Sequence, residues 1–496
     1  MGCGVLTTYT QIANIAGIQG LLVYAFTGAI PIFLFSFYGP VIRKRCPEGF
    51  VLTEWVYQRY GPFAALFLSA FTLLTMFLYM VSELTAVNYA ITALTGIDAT
   101  PCVVIECIVT SIYTALGGFK VSFITDSFQA AFVILALIIG TIAYGCSIHI
   151  DMDIKRATEG FLLGSNKMGW MLLYILLVAI VTNDCFLSGF WLRTFAAKTD
   201  KDLFVGTGIA AIVCCIVCTL FGLPGIIAVW TGDLTIADDE GYNAFFILIA
   251  EMDKWIIGIM LIFSVALSTC TFDSLQSATT TSISNDIFRN KLPIVWVRLI
   301  VWLVMVPCIV VAVKASANVL QIYLIADLLS SALIPILFLG LSRRFNFLGQ
   351  WDIIVGTLGA LLGIFVFGTV YYDSALEGAR LLLVWNGIYT DSDWGPFGAF
   401  VIAPVGGVVF GFMFCGARLT FWYVHSRIYN TPFTTVYQTN FKRQALSDSE
   451  NDSETESENG QVESDREIVN DINDGDDTKT SIFSKNSLKK LVNGQF

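Results

Sequence analysis

The sequence predicts an all-α, polytopic membrane protein, and three observations carry that prediction. Of its 496 residues, 56% are hydrophobic and 14% charged, against roughly 25% charged in a soluble domain. The apolar residues gather into about twelve stretches of near-membrane length. The Lys and Arg residues fall mostly in alternate loops between those stretches. The positive mean hydropathy agrees.

About 20 apolar residues span the hydrocarbon core as a helix, because lipid offers backbone groups no other partner. The first stretch, 5–17, is short, polar and Gly-containing (GVLTTYTQIANIAG). It reads as the second half of a longer helix, so the expectation is that the chain begins inside a membrane helix. The pattern of a charged start and a small-residue cleavage site is not seen over residues 1–17, so a signal peptide is not expected in this stretch. The other stretches are 19–41, 62–86, 100–116, 121–146, 168–190, 203–230, 253–284, 293–314, 318–341, 351–371 and 396–424.

One set of alternate loops carries twelve Lys or Arg, from Arg43, Lys44 and Arg45 to Arg343 and Arg344. The other set carries six: Lys155, Arg156, Lys167, Lys254, Lys314 and Arg380. The richer set is expected in the cytoplasm, and the C-terminal tail falls on the same side. The division expected is a membrane domain over 1–424 and an acidic, disordered tail over 425–496. The tail is rich in Ser, Asp, Glu and Asn and too poor in apolar residues to build a core. Between Ser447 and Asp477 stand thirteen Asp or Glu and one Arg, so the net charge of −11 belongs to the tail. Ser447, Ser449, Ser453 and Thr455 each have an acidic residue three positions on. That spacing suits an acidophilic kinase or a regulatory contact, and equally a solvated tail with incidental serines.

Twelve cysteines sit mostly inside apolar runs and read as small buried hydrophobes. Only two His are present, and no Cys/His group has metal-ligand spacing. No GxxxxGK[ST] loop supplies an ATP engine, and no nucleophile-plus-base pattern supports an enzyme. No cofactor is expected, and nothing in the charge pattern points to nucleic acid.

Polar and ionisable residues inside membrane helices are functional candidates by default. Gly117 and Gly118 make a turn between two spans, and Asp126 and Gln129 follow one helical turn apart. Asp126 either handles a cation there or caps the helix N-terminus. Ser268, Thr269, Cys270 and Thr271, followed by Asp273, place hydroxyls one turn apart inside a span. Such oxygens either replace the water of a hard cation or bond their own helix backbone. Asn183 and Asp184 stand ready to hydrogen-bond a solute, with Trp191 as an apolar wall and Arg193 and Lys198 as interfacial anchors. Tyr9, Gln11, Glu83, Asn88, Glu106 and Asp327 are scattered candidates for a central cavity or for helix–helix hydrogen bonds.

These motifs resemble those of the sodium:solute symporter family. The GG…D-x-x-Q pattern matches at Gly117, Gly118, Asp126 and Gln129. An aromatic-Arg-Ala-Ala-Lys pattern matches at Trp191, Arg193, Ala196, Ala197 and Lys198, with Leu192 where the family usually has Gln. The Ser/Thr-rich helix from Ser268 to Asp286 and the Ser331–Gly340 segment match two more hallmarks. Within the family, Arg43–Trp55 and Ala266–Gln276 are most similar to the urea active transporter branch, the fungal urea and polyamine permeases. Gln11–Gly17 resembles a divergent fungal subgroup.

The resemblance implies a LeuT-like core of two inverted five-helix repeats, about two extra C-terminal helices, and a solute site near the midplane beside broken helices. It also implies a cation site between the first and eighth core helices. Aligned backwards from Asp286, the cation hydroxyl pair falls at Cys270 and Thr271; aligned on composition, it falls at Ser268 and Thr269. A sulfur ligand would suit Na⁺ poorly and would favour proton coupling through Asp273 or Asp126. The expected activity is plasma-membrane symport of urea or a related amino compound such as a polyamine, coupled to Na⁺ or H⁺. In that reading Ser268, Thr269 and Thr271 are cation ligands, with Asp126 at the cation exit and Asp273 in coupling. Tyr9, Gln11, Glu83, Asn183 and Asp184 line the cavity. A channel, a transporter-like nutrient sensor and a truncated, non-functional permease are the competing classes.

Overall fold

Gly17 bends the first helix, with φ 61° and ψ −157° inside an otherwise continuous run, α1 (Gly4–Arg45). The two arms of α1 correspond to the first two predicted stretches. The structure, a computed structural model, describes residues 2–47, 51–314, 319–389 and 391–430. The predicted tail lies outside them from 431 onward.

The helices follow in order: α2 (Leu52–Tyr60), α3 (Pro62–Thr95), α4 (Thr100–Ser147), α5 (Met152–Leu162), α6 (Lys167–Phe186), α7 (Ser188–Ala196), α8 (Asp200–Gly222) and α9 (Pro224–Thr231). Then come α10 (Ala244–Ala250), α11 (Lys254–Ser282), α12 (Ile294–Lys314), α13 (Val319–Leu339), α14 (Gln350–Tyr371), α15 (Ala375–Leu382) and α16 (Gly395–Tyr429). No strand occurs among the described residues. Nine helical segments among them are long and apolar enough to cross a membrane.

The fourth and fifth predicted stretches both fall in α4. Tyr113 Oη and Thr125 Oγ1 donate to the same oxygen, Oδ2 of Asp273, at 2.7 and 3.2 Å. Twelve residues of straight helix rise about 18 Å, beyond the reach of both side chains. The chain therefore doubles back between Tyr113 and Thr125. The contacts of the two halves agree. Glu106 meets Thr269 near the middle of α11, while Gly140, on the returning half, approaches Met260. Thr100–Ala115 and Gln129–Gly145, the apolar parts of the two halves, are shorter than the nine segments above.

Local chemistry fixes the helix ends. Asp151, Asn166 and Thr199 accept backbone N–H bonds at the starts of α5, α6 and α8, each satisfying otherwise orphaned donors. Gly96, in the left-handed region, closes α3. At Leu187 the backbone leaves the helical region (φ −69°, ψ 110°), separating α6 from α7.

Polarity is distributed inside-out. On α12, Val297, Val301, Met305, Cys308 and Ala312 form a buried stripe at helical spacing, while Leu299, Trp302, Leu303, Val306 and Val310 face outward. An outward apolar face on a helix of this length is a lipid contact. Tight backbone approach joins α14 to α16, where a Cβ on Gly356 would lie 2.6 Å from the Gly407 carbonyl oxygen, as expected where small residues let membrane helices close. At the end of the bundle that holds the Lys/Arg-rich loops, Arg59 donates to the Gly340 and Phe345 carbonyls, and Tyr60 to that of Leu337.

Candidate functional site

The interior of the bundle collects carboxylates. Glu83 on α3, Asp184 at the end of α6 and Asp327 on α13 are all buried. Helical spacing of four residues puts Tyr79 on the same face of α3 as Glu83, and Tyr323 on the same face of α13 as Asp327. The two helices meet through these pairs. The rings of Tyr79 and Tyr323 lie 4.6 Å apart at 60°. Tyr323 Oη donates to Glu83 Oε1 at 2.8 Å, and the backbone N–H of Gly4 reaches Glu83 Oε2 at 3.4 Å.

Tyr79 links Glu83's neighbourhood to the other two acids. Its hydroxyl accepts from the Asn183 amide and faces the Asp327 carboxylate. Asp184 and Asp327 lie close enough for their charges to interact. Thr182 and Ser330 hold α6 to α13 beside them, their hydroxyls 3.1 Å apart. Tyr24 borders Asp327 and stacks on Tyr9 at 3.9 Å, 7° from parallel.

Two buried acceptors at this centre, Asp327 Oδ1 and Asn183 Oδ1, have no hydrogen-bond partner among the described residues. No Lys, Arg or His among those residues forms an ion pair with Glu83, Asp184 or Asp327. A buried carboxylate without a partner is costly and calls for a cation or a proton. Asp184 stands where α6 breaks, so irregular backbone and carboxylates coincide at mid-helix depth. This is the arrangement that discontinuous helices bring to transporter sites.

A second cluster lies between α4 and α11. Thr269 donates to Glu106 Oε1 at 3.4 Å and to its own helix at the Val265 carbonyl, 2.8 Å. The Ser268 hydroxyl stands beside the same carboxylate. Thr271, one turn on from Ser268, has a buried Oγ1 without a partner among the described residues. Asp273 is fully buried and accepts from Tyr113 and Thr125. Glu83 and Glu106 lie close enough for their charges to interact, and both act on Cys3 at the start of α1, so the two clusters are neighbours. No group of three or more His, Cys, Asp or Glu forms a metal cage among the described residues. The oxygens at this cluster are mostly hydroxyls.

Of the residues singled out from sequence, Glu83, Asn183 and Asp184 come together with Asp327. Ser268 and Thr269 come together with Glu106, and Asp273 lies one turn on from Thr269 against Tyr113 and Thr125. Tyr9 stands one ring behind the central acids. Gln11 is buried elsewhere, facing Tyr389. Asp126 lies on the returning half of α4, and its side chain is outside the described residues. Trp191 is fully buried, packed on Phe35 at 5.0 Å and donating to the Cys185 carbonyl; it is a core residue rather than a cavity wall. Tyr79 and Tyr323 were not found by sequence reasoning, although the Tyr-x-x-x-acid spacing that marks both was present. The cavity of about 330 Å³ between α4, α8, α9 and α11 is lined by Leu137, Phe221, Met260 and Phe263 among other apolar residues and touches none of these acids.

The chain is similar to known transporters. It is 58% identical over 437 residues to the spermidine transporter DUR31 of Candida albicans, covering 88% of this chain and 84% of that one. A probable urea active transporter 1 of Schizosaccharomyces pombe is 27% identical over 138 residues, 28% of this chain and 21% of that one. Among solved structures, a Na⁺-coupled sialic acid symporter in an outward-open state superposes with a TM-score of 0.56. That match is 14% identical and covers 84% of this chain and 90% of the other, so it shows the fold alone. The family model for sodium:solute symporters matches residues 13–356. With that match over most of the chain, a relative this similar along nearly its full length and the shared LeuT-like fold, the chain belongs to the sodium:solute symporter family.

Proposed function

We propose that this protein imports a polyamine of the spermidine class by alternating access, driven by a Na⁺ or H⁺ gradient across the plasma membrane. The observation that carries the reading is the trio Glu83, Asp184 and Asp327, buried among tyrosines with no basic side chain among the described residues paired to them. A polyamine is a chain of ammonium groups joined by methylenes. Its entry into a low-dielectric interior needs matching negative charge, and three carboxylates supply it. The faces of Tyr79, Tyr323 and Tyr24 suit both the methylenes and the cations. Urea, being neutral, would leave those carboxylates uncompensated. The similarity to a spermidine transporter supports the same choice.

The α4–α11 cluster is the candidate coupling site. Ser268, Thr269 and Thr271 offer hard oxygen ligands, and Glu106 and Asp273 offer charge for a cation or a proton. Glu83 and Glu106 are near enough to act on each other and on Cys3, which keeps the candidate ion and solute sites adjacent. An ion that favours the outward-open state would then raise solute affinity by linkage.

The test is uptake of labelled spermidine and labelled urea in cells lacking their own permeases for both. The expected result is saturable, gradient-dependent spermidine uptake that excess unlabelled urea does not compete. Urea uptake without spermidine uptake, from protein present at the cell surface, would sink the polyamine assignment.

A further inference from the structure

We propose a second, outer cation-binding station, formed by Tyr89, Tyr242 and Tyr389 over the Gln11 amide with Asp239 at its rim, which takes an alkylammonium group of a polyamine. The inference rests on the polyamine reading of the central site and adds a place where the solute is held before reaching it.

Three separate segments converge there. Tyr89 lies on α3, six residues beyond Glu83, or about 9 Å along the helix axis. Tyr242 belongs to the short turn Gly241–Asn243 ahead of α10. Tyr389 comes from the connection between α15 and α16. The rings of Tyr89 and Tyr242 are 4.8 Å apart at 42°, and Tyr389 lies within electrostatic reach of Tyr89. Asp239 lies within electrostatic reach of Tyr389, and Glu240 of Tyr242. Aromatic faces beside carboxylates form the cage that organic ammonium groups favour.

The floor of this cage supplies an independent sign of a ligand. Gln11 is only 2% exposed, its amide faces the Tyr389 hydroxyl, and its Oε1 has no hydrogen-bond partner among the described residues. A buried acceptor left unpaired is costly, and an ammonium group is a donor with no acceptor of its own.

The loop that brings Tyr242 and Asp239 is pinned in place. Asn14, fully buried on α1, donates to the Thr235 carbonyl at 2.8 Å and accepts from Asp238 N–H at 2.9 Å. Asp238 in turn accepts from Thr235 and from the Glu240 N–H. A pre-set loop loses little freedom on binding.

The surroundings draw polycations to it. The Lys/Arg bias assigns this end of the bundle to the outside. Its connecting segments (96–99, 148–167, 231–254, 314–319 and 372–395) carry fourteen Asp or Glu against six Lys or Arg. A face of one sign concentrates the opposite ion and speeds its capture.

Equilibrium binding of radiolabelled spermidine to the full chain in lipid nanodiscs tests the station. Two spermidines per chain are expected for the natural sequence, and one for Asp327→Asn and for Glu83→Gln. In the Asp327→Asn background, Tyr389→Ala should abolish the remaining binding, and the exposed change Asp239→Asn should weaken it about 5-fold or more. A monodisperse elution profile checks that each variant is folded, and Asp239→Asn keeps the test open if Tyr389→Ala is not. One spermidine per chain, lost in Asp327→Asn, would remove the outer station and leave the central reading standing. Residual binding indifferent to both Tyr389→Ala and Asp239→Asn would overturn the station as well. No binding by the natural sequence would overturn the central reading and the station with it.

Discussion

Tyr79 and Tyr323 meet ring to ring at 4.6 Å, and each stands four residues ahead of a buried carboxylate, Glu83 on α3 and Asp327 on α13. The pairing ties two helices 240 residues apart through one aromatic contact and one hydrogen bond, Tyr323 to Glu83. It also sets the tyrosine faces beside the carboxylates that the solute would have to satisfy.

Asp327→Asn keeps the shape of the central site and removes one charge. If a polyamine sits there, kcat/KM for spermidine uptake should fall about 10- to 100-fold, the range of one charged hydrogen bond. The loss should be smaller for a diamine, which has one ammonium fewer to match. Uptake kinetics for both solutes, normalised to surface protein, check this. Equal losses for both would argue that Asp327 supports the fold rather than the solute.

Tyr323→Phe removes one hydroxyl and keeps the ring contact with Tyr79. Glu83 then loses the donor at 2.8 Å and keeps the backbone N–H contacts of Gly4, at 3.4 Å, and of Cys3. Apparent spermidine affinity should change about 10-fold, with the protein melting within a few degrees of the natural sequence. A large drop in melting temperature would assign the hydroxyl to stability instead.

Thr271→Ala should separate ion handling from solute handling. Its Oγ1 is buried and unpartnered among the described residues, so its loss removes the proposed cation oxygen without breaking a helix bond. Half-saturation by Na⁺, or the pH midpoint if protons couple, should shift several-fold at saturating spermidine. Thr269→Ala, which also frees Glu106, should shift it further. Ion dependence unchanged in both variants would move the coupling site away from α11.

Arg418 and Asp352 hold α16 to α14 at the Lys/Arg-rich end. Arg418 Nη2 meets Asp352 Oδ2 at 2.7 Å and Nε meets Oδ1 at 3.0 Å, with Asp352 fully buried. Asp352 also accepts the Gly349 N–H at 2.7 Å. Arg418→Met leaves a buried carboxylate unpaired and should cost about 3–5 kcal/mol. Adding Asp352→Asn should recover part of that, read as thermal stability in detergent.

Much of this architecture was legible in the sequence. Each span announces itself by composition, and the Gly117-Gly118 pair falls within the stretch between Tyr113 and Thr125 over which α4 doubles back. The acids Glu83, Asp184 and Asp327 stood out because charge inside a span is rare. Their grouping was not legible, because helical periodicity tells which face a residue occupies and not which distant helix it meets. Tyr79 and Tyr323 escaped for a related reason: a tyrosine in an apolar helix reads as core until a carboxylate is seen beside it. Trp191 erred the other way, since an aromatic near polar residues looked like a cavity wall while the fold buries it against Phe35.

Gly17 offers the sharpest contrast between two glycines of the same chain. Its φ of 61° with ψ of −157° lies in a region that residues with a Cβ avoid, at a strain of about 1–3 kcal/mol. A Cβ there would also sit 2.4 Å from the Leu162 carbonyl oxygen, so the end of α5 would have to move. Neither cost applies at Gly145, which is helical and has nothing within 4 Å of the same added atom. Gly145→Ala should be neutral or slightly stabilising, by about 0.5–1 kcal/mol of helix propensity. Gly17→Ala should lower the melting temperature and cut spermidine uptake, because the kink sets the first arm of α1 over Glu83 at one end and Gln11 beneath Tyr389 at the other. Equal behaviour of the two variants in a melting assay would mean that α1 runs straight in the working protein, and the geometry argued for both cation sites would go with it.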